Sequence, residues 1–340
     1  MRWLGVIPML LYAAAGVAET PSNLSDRAQK LAAERNYDEA IKLWSQAIGL
    51  SPGYFPALFN LGYLYFQQQR YSDAAPLLER AAKAEPRDFN TRYLLGTTYA
   101  KMDRSDDALR AWREALSIQP QNLRLMQVMS VEYSKGRYFA DAASLARRAL
   151  GIKSDDINIY LLAIKSYQDA GDDAAAFAIS GAALAKFPDS ARAHFEYGFH
   201  LQKQGKIAEA LEYLQRAMTL DPAYEEPFFF YGNLLVDQGR NPDAVPYLRT
   251  AIQIRNDYVP ARAVLARALM NMQQWPEAIE ELNRTIALDP KHPQPHLLLS
   301  QIYFRLGDEA KARQEKEISL RLRRANPTIL EAAQSRPFLR

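Results

Sequence analysis

The four histidines are the side chains of this sequence best suited to binding a metal ion or to acid–base chemistry near neutral pH. They are His194, His200, His292 and His296. The last two have the spacing that metal ligands on a helix use, but Pro293 and Pro295 lie between them. The chain contains no cysteine, and no acidic cluster completes a ligand set. We therefore predict structural histidines, no metal site and no cofactor.

Other catalytic patterns are missing as well. The sequence has no glycine-rich phosphate loop, no nucleophile elbow and no zinc-protease helix. Pairs of aspartates occur at Asp106–Asp107, Asp155–Asp156 and Asp172–Asp173. These pairs lie at predicted turns or helix starts, where a carboxylate caps the helix and favours its dipole. The prediction is a protein without catalytic residues, and thus not an enzyme.

Charge and composition indicate a folded protein that does not bind nucleic acid. The 340 residues include 42 Lys and Arg against 39 Asp and Glu, a net charge of +3. Nucleic-acid-binding proteins carry a clear basic face or stripe, so no nucleic-acid partner is predicted. The composition, with 48% hydrophobic residues, is that of a folded protein.

The first residues have the pattern of a secretory signal peptide. Met1 and Arg2 are followed by the apolar run 3–15, and small residues precede a cleavage site after Ala18. The alternative is a retained anchor, but the apolar run is shorter than the roughly 20 residues of a spanning helix. We predict export to the periplasm or beyond the cell, and a mature chain with no transmembrane segment.

The strongest signal is a repeat of 34 residues. One register holds alanine in nine successive copies: Ala40, Ala74, Ala108, Ala142, Ala176, Ala210, Ala244, Ala278 and Ala312. Another register holds proline in six copies: Pro52, Pro86, Pro120, Pro188, Pro222 and Pro290. A length of 340 residues would by itself suggest two globular domains. An uninterrupted repeat predicts instead one array of stacked units.

Each unit predicts two helices joined by a polar turn. In the second copy, Leu61 and Tyr65 recur at the spacing of one helical face. Pro86 stops the second helix, because proline has no N–H to donate and disfavours helix at the residue before it. Gly62 and Ala74 are predicted to lie where the two helices cross, since only small side chains let the backbones approach closely.

These units resemble the tetratricopeptide repeat. The residues that carry the resemblance in the second copy are Leu61, Gly62, Tyr65, Ala74, Ala81 and Pro86. The resemblance implies an all-α protein, an α-α superhelix (solenoid) of about nine 34-residue helix-turn-helix repeats. The predicted repeats start near residues 21, 55, 89, 123, 157, 191, 225, 259 and 293. The predicted domains are a signal peptide (1–18), the solenoid (19–324) and a C-terminal capping segment and tail (325–340).

The resemblance also implies that the first helix of each unit lines a concave face. The candidate partner-binding residues on that face are Phe59, Asn60, Tyr63, Phe66, Tyr93, Thr97, Arg124, Gln127, Lys165, Phe195, Phe199, Phe229, Phe230 and Asn233. Aromatic residues and arginine are enriched at interface hot spots. The alternative is that the aromatic rings pack between units and the basic residues form a solvated face.

The predicted function is a non-catalytic scaffold that binds a peptide segment or an assembly subunit in its groove outside the cytoplasm. One alternative is an accessory protein of polysaccharide export or cell-wall remodelling, whose aromatic rings stack on glycans. Another is a builder of homo-oligomers through an exposed end unit. The basic stretch 311–340, with eight Lys and Arg against three Glu, could contact anionic lipid or an acidic partner, but membrane association is not the favoured reading. Cations that favour a helix C-terminus are the preferred explanation of that stretch.

Overall fold

The computed structural model describes residues 19–153 and 155–325. The predicted signal peptide (1–18) and the predicted C-terminal segment beyond residue 325 lie outside these residues. The described part of the chain is built from helices connected by short turns, without a β-strand. Its helices form two compact units, which contain residues 19–153 and residues 155–325.

The first unit contains four helix pairs. Its helices are α1 (Pro21–Ala33), α2 (Tyr37–Leu50), α3 (Phe55–Gln67), α4 (Tyr71–Ala84), α5 (Phe89–Lys101), α6 (Ser105–Ile118), α7 (Leu123–Lys135) and α8 (Phe139–Ile152). Each odd-numbered helix packs against the helix that follows it, and each pair packs against the next pair.

The second unit contains five helix pairs packed in the same way. Its helices are α9 (Ile157–Asp169), α10 (Asp173–Lys186), α11 (Ala191–Lys203), α12 (Ile207–Leu220), α13 (Glu225–Asp237), α14 (Asn241–Ile254), α15 (Val259–Asn271), α16 (Trp275–Leu288), α17 (Pro293–Arg305) and α18 (Glu309–Ala325). No helix in the described ranges has both the length and the apolar composition needed to cross a bilayer.

The prediction of an all-α solenoid of helix pairs is confirmed. The first helix of every pair begins at the residue where the 34-residue repeat predicts it. The alanines of the main register from Ala40 to Ala278 are completely buried, and Ala312 is 6% exposed. That the solenoid of 19–324 forms one domain stays a prediction.

Gly62 and Gly96 in the first helices are required by close helix crossings, as predicted for Gly62. A Cβ atom added to Gly62 in α3 would lie 2.9 Å from Cγ of Leu78 in α4. A Cβ added to Gly96 in α5 would lie 2.4 Å from Cδ1 of Trp112 in α6. Such separations are shorter than carbon atoms tolerate. The large residue of the second helix therefore occupies the space that glycine leaves open.

Candidate interaction surface

The first-helix face consists of the second, fifth, sixth, ninth, twelfth and thirteenth residues of each odd-numbered helix. Its predicted partner-binding residues differ in exposure. Three are exposed: Tyr63, Arg124 and Lys165. Eight are partly exposed: Phe59, Asn60, Phe66, Tyr93, Thr97, Gln127, Phe199 and Phe230. Three are buried: Phe195, Phe229 and Asn233.

In the first unit, three rings stack along α3. The ring centroids of Phe55 and Phe59 are 5.8 Å apart, and those of Phe59 and Tyr63 are 6.3 Å apart. Residues four positions apart are neighbours on a helix surface, so the three rings follow one face of α3. Tyr63 ends this α3 ladder with 44% of its surface exposed. The ladder thus presents a fixed, amphipathic aromatic surface.

In the second unit, six rings from α11, α13 and the residues before α13 and α15 contact one another. This aromatic row consists of Phe195, Phe199, Tyr224, Phe229, Phe230 and Tyr258. The ring of Phe230 is central, with centroids 5.3 Å from Phe195 and 5.4 Å from Phe199. Phe195 and Phe229 are the buried support of the row, whereas Phe199 and Phe230 remain partly exposed.

Tyr224 and Tyr258, which immediately precede α13 and α15, belong to this row but were not predicted from the sequence. Their rings lie 5.4 Å from Phe195 and 5.2 Å from Phe229. The two tyrosines are 34 residues apart. Their shared register was therefore a signal in the sequence, although it lies outside the first-helix positions of the predicted concave face.

Two predicted polar residues of the second unit are engaged within the protein. The buried amide oxygen of Asn233 accepts a hydrogen bond from Arg267 Nη2 at 3.0 Å, and its Nδ2 donates to Asp237 at 3.2 Å. This contact joins α13 to α15. Lys165 forms an ion pair with Asp169 one helical turn away. Any role of Asn233 or Lys165 in binding a partner stays a prediction.

The histidines of the described chain have structural contacts. His194 Nε2 lies 2.7 Å from the carbonyl oxygen of Pro188, and His296 Nδ1 lies 2.7 Å from Glu315 Oε2. His200 is 1% exposed and lies next to Phe199. Within residues 19–153 and 155–325, no group of three or more histidine, aspartate or glutamate side chains is arranged to hold a metal ion.

We expect His200 to make the stability of the second unit depend on pH. Burial lowers the pKa of His200 to about 4, with Lys203 adding to this effect and Asp173 opposing it. Because the imidazole of the unfolded chain has a pKa of about 6.5, the unfolded chain binds more protons than the folded chain between these two pKa values. The free energy of unfolding should therefore fall as the pH is lowered from about 6.5 towards 4.

The measurement compares thermal unfolding midpoints of the native protein and the His200→Gln variant across this pH range. Glutamine does not titrate, so the midpoint of the native protein should fall more steeply on acidification. Every other titrating group is common to both proteins and cancels in the difference. A difference in midpoint that stays constant with pH would contradict the expectation.

Comparison with known families agrees with the observed geometry. The tetratricopeptide repeat description matches residues 31–88, 65–128 and 235–302, and a second tetratricopeptide repeat description matches residues 191–224. These matches together span more than half of the chain. The chain belongs to the tetratricopeptide repeat family, as the sequence predicted. The family consists generally of non-catalytic scaffolds that bind protein or peptide partners.

The chain is similar to several solved structures at low sequence identity. A chain in the crystal structure of the APC/C hetero-tetramer Cut9–Hcn1 is 15% identical, over 88% of this chain and 60% of that chain, with a TM-score of 0.56. MamA from Desulfovibrio magneticus RS-1 is 18% identical over 50% of this chain and 96% of its own, with a TM-score of 0.46. YrrB, described as having an unusual peptide-binding site, is 19% identical over 56% of this chain and 99% of its own, with a TM-score of 0.45. No curated protein matches this sequence.

Proposed function

We propose that this protein is a non-catalytic scaffold that binds a peptide segment or an assembly subunit on its first-helix face. The observation that carries the proposal is the exposure of Tyr63 at the end of the stacked α3 ladder. A rigid ring that is already ordered before binding loses little conformational entropy when a partner covers it. Tyrosine is also a residue type enriched at interface hot spots.

The aromatic row of the second unit offers another surface of the same kind. Phe199 and Phe230 are partly exposed and rest on the buried rings of Phe195 and Phe229. Buried rings fix the rotamers of the exposed ones, which is the arrangement that a preformed binding surface needs. We further propose that the protein acts outside the cytoplasm, a proposal supported by the signal-peptide pattern of residues 1–18.

We expect Tyr63→Ala together with Phe199→Ala to abolish partner binding while leaving the helical fold intact. Tyr63 is 44% exposed, and surface substitutions typically change stability by about 0.5 kcal/mol or less. Phe199 is partly buried, so its removal should cost roughly 1–2 kcal/mol. Circular dichroism should show native helical content, and binding is measured by photocrosslinking with benzoylphenylalanine placed at position 60 in the native host.

Leu50→Ala is the matched control, because Leu50 is 59% exposed and lies at the end of α2, outside the first-helix face. It should leave crosslinking unchanged. Equal loss of crosslinked partner in the control and the double variant would contradict the proposal, as would collapse of the helical signal in the double variant. Binding of purified polysaccharide by the native protein, without any protein partner, would favour the glycan-binding alternative instead.

A further inference from the structure

Two carboxylates share helix faces with the aromatic row. On α11, Glu196 precedes Phe199 by three residues, and on α13, Glu226 precedes Phe230 by four residues. Residues with these spacings are neighbours on a helix surface. The rings connect the two helices, since the centroid of Phe230 lies 5.4 Å from that of Phe199. Both carboxylates therefore border one apolar surface within the second unit.

Glu196 has less neighbouring positive charge to balance its carboxylate than Glu226 has. It is only partly exposed and forms no hydrogen bond or ion pair with any residue of the described ranges. Burial and the negative charge of Glu226 raise its pKa to about 7, while Lys165 acts in the opposite direction. Lys165 itself is paired with Asp169. Its ammonium group therefore neutralises the Glu196 carboxylate incompletely.

Glu226 is also short of positive charge. Arg255 Nη1 lies 2.8 Å from Glu225 Oε1 but 4.0 Å from Glu226 Oε1. The guanidinium therefore forms its closer ion pair with Glu225. Burial, with the neighbouring Glu225 charge, raises the pKa of Glu226. A carboxylate in the first turn of a helix ordinarily has its charged form stabilised by the helix dipole. The opposite shift shows that burial dominates at this position.

We propose that this surface binds a lysine or arginine side chain of a peptide partner. Glu196 and Glu226 accept hydrogen bonds from the cationic group, and the partly exposed rings of Phe199 and Phe230 cover its aliphatic stem. Charge complementarity favours this occupant, because a cation supplies the positive charge that the two carboxylates lack. Basic side chains bury their methylene stems against apolar surfaces and are attracted to aromatic faces. The inference rests on the proposed peptide-binding function and names the chemistry of the partner.

The first test is selection of random peptides displayed on phage, at pH 8, with the full chain as bait. The Glu196→Gln/Glu226→Gln variant is selected in parallel, because glutamine keeps the shape of glutamate without its charge. We expect the native protein to enrich peptides that carry a basic residue beside apolar residues. The variant should still enrich apolar peptides, but without the basic residue.

The outcomes separate the two proposals. Selection of apolar peptides by both proteins with no preference for a basic residue would overturn this inference and leave the proposed function standing. Failure of the native protein to enrich any peptide would overturn both. If the variant enriched basic residues as strongly as the native protein, the cation would bind at another site, and the inference would also be overturned.

The second test uses the pH dependence of binding by a selected peptide that contains arginine and no histidine. Since the pKa of Glu196 is about 7, a cation should bind more tightly as this carboxyl ionises, with affinity rising roughly five- to tenfold from about pH 6 to about pH 8. Glu196→Gln should remove the rise, as should replacing the arginine of the peptide with glutamine. His200, with a pKa of about 4, does not titrate in this range. An affinity that does not change with pH in the native protein would contradict the proposal.

Discussion

Replacing Trp112 with serine is expected to lower the free energy of unfolding by about 3–5 kcal/mol. The indole is 1% exposed and fills the crossing between α5 and α6, where it lies against Gly96. Its Nε1–H donates a hydrogen bond to the carbonyl oxygen of Tyr93 at 3.1 Å. Serine would leave a cavity and remove that donor. The loss is measured by guanidinium unfolding followed by circular dichroism, with the slope of the transition as a check that the same unit unfolds.

Restoring the lost volume from the opposite helix should recover part of this stability. In the fifth repeat the sizes are exchanged, because Ile164 and Ser180 occupy the registers of Gly96 and Trp112. Both are buried, at 1% and 0% exposure. Gly96→Ile alone should destabilise by about 1–3 kcal/mol through overpacking against the indole.

The double variant Gly96→Ile/Trp112→Ser is therefore expected to be more stable than the sum of the two single changes predicts. Residues in contact show interaction energies of about 0.5–3 kcal/mol in such cycles. The matched control joins Gly96→Ile to Trp44→Ser in the first repeat, two sites without a shared contact, for which the two effects should add. Additive effects in both pairs would contradict the idea that the crossing is governed by the combined volume of two residues.

Arg262→Met is expected to destabilise the second unit by about 3–5 kcal/mol, the cost of breaking a buried ion pair by removing one partner. Arg262 is 4% exposed. Its Nη1 donates to Glu281 Oε2 at 2.7 Å, and its Nε and Nη2 donate to the carbonyl oxygen of Asn256 at 3.1 and 2.8 Å. Methionine fills similar space but leaves the carbonyl without a donor and the carboxylate short of one cation.

Arg262→Lys serves as the control, because lysine keeps the charge but lacks the planar fork that reaches both partners. It should recover only part of the stability in thermal and guanidinium unfolding. Arg249→Met measures how much stability is lost when an exposed ion pair is broken. Arg249 contacts Glu277 at 2.6 Å, with about half of each side chain exposed. Such pairs contribute about 0–1 kcal/mol. Equal effects of Arg262→Met and Arg249→Met would show that burial adds nothing to the interaction.

The repeat position of Arg262 makes a contact that the sequence pattern predicts only in part. The fourth residue of the first helix is His194 in α11 and His296 in α17, and both were predicted to be structural. The structure shows a shared contact that was not predicted: Arg92, His194 and Arg262 each reach the carbonyl oxygen of the residue six positions earlier. These positions tie the inter-repeat turn to the next helix. A side chain that bonds to a turn carbonyl has no apolar periodicity, so its partner was not visible in the pattern.

The sequence by itself determined the helical repeat, the helix starts and the positions of the small residues at the crossings. Because a period of 34 residues is maintained over nine copies, the same local contacts recur in each copy. The spacing of hydrophobic residues indicates such local contacts. It also indicated the aromatic residues of the first helices as candidate binding residues.

The tertiary structure decided which of those aromatic residues a partner can reach. Phe59 and Phe195 occupy the same register, yet Phe59 is partly exposed whereas Phe195 is buried. The difference comes from Phe230 and Tyr224, whose rings lie 5.3 and 5.4 Å from Phe195. These covering side chains belong to residues that are distant along the chain and not repeated in every copy. Exposure is therefore set by the particular neighbour that folding places against each ring, and this neighbour differs between copies while the period stays the same.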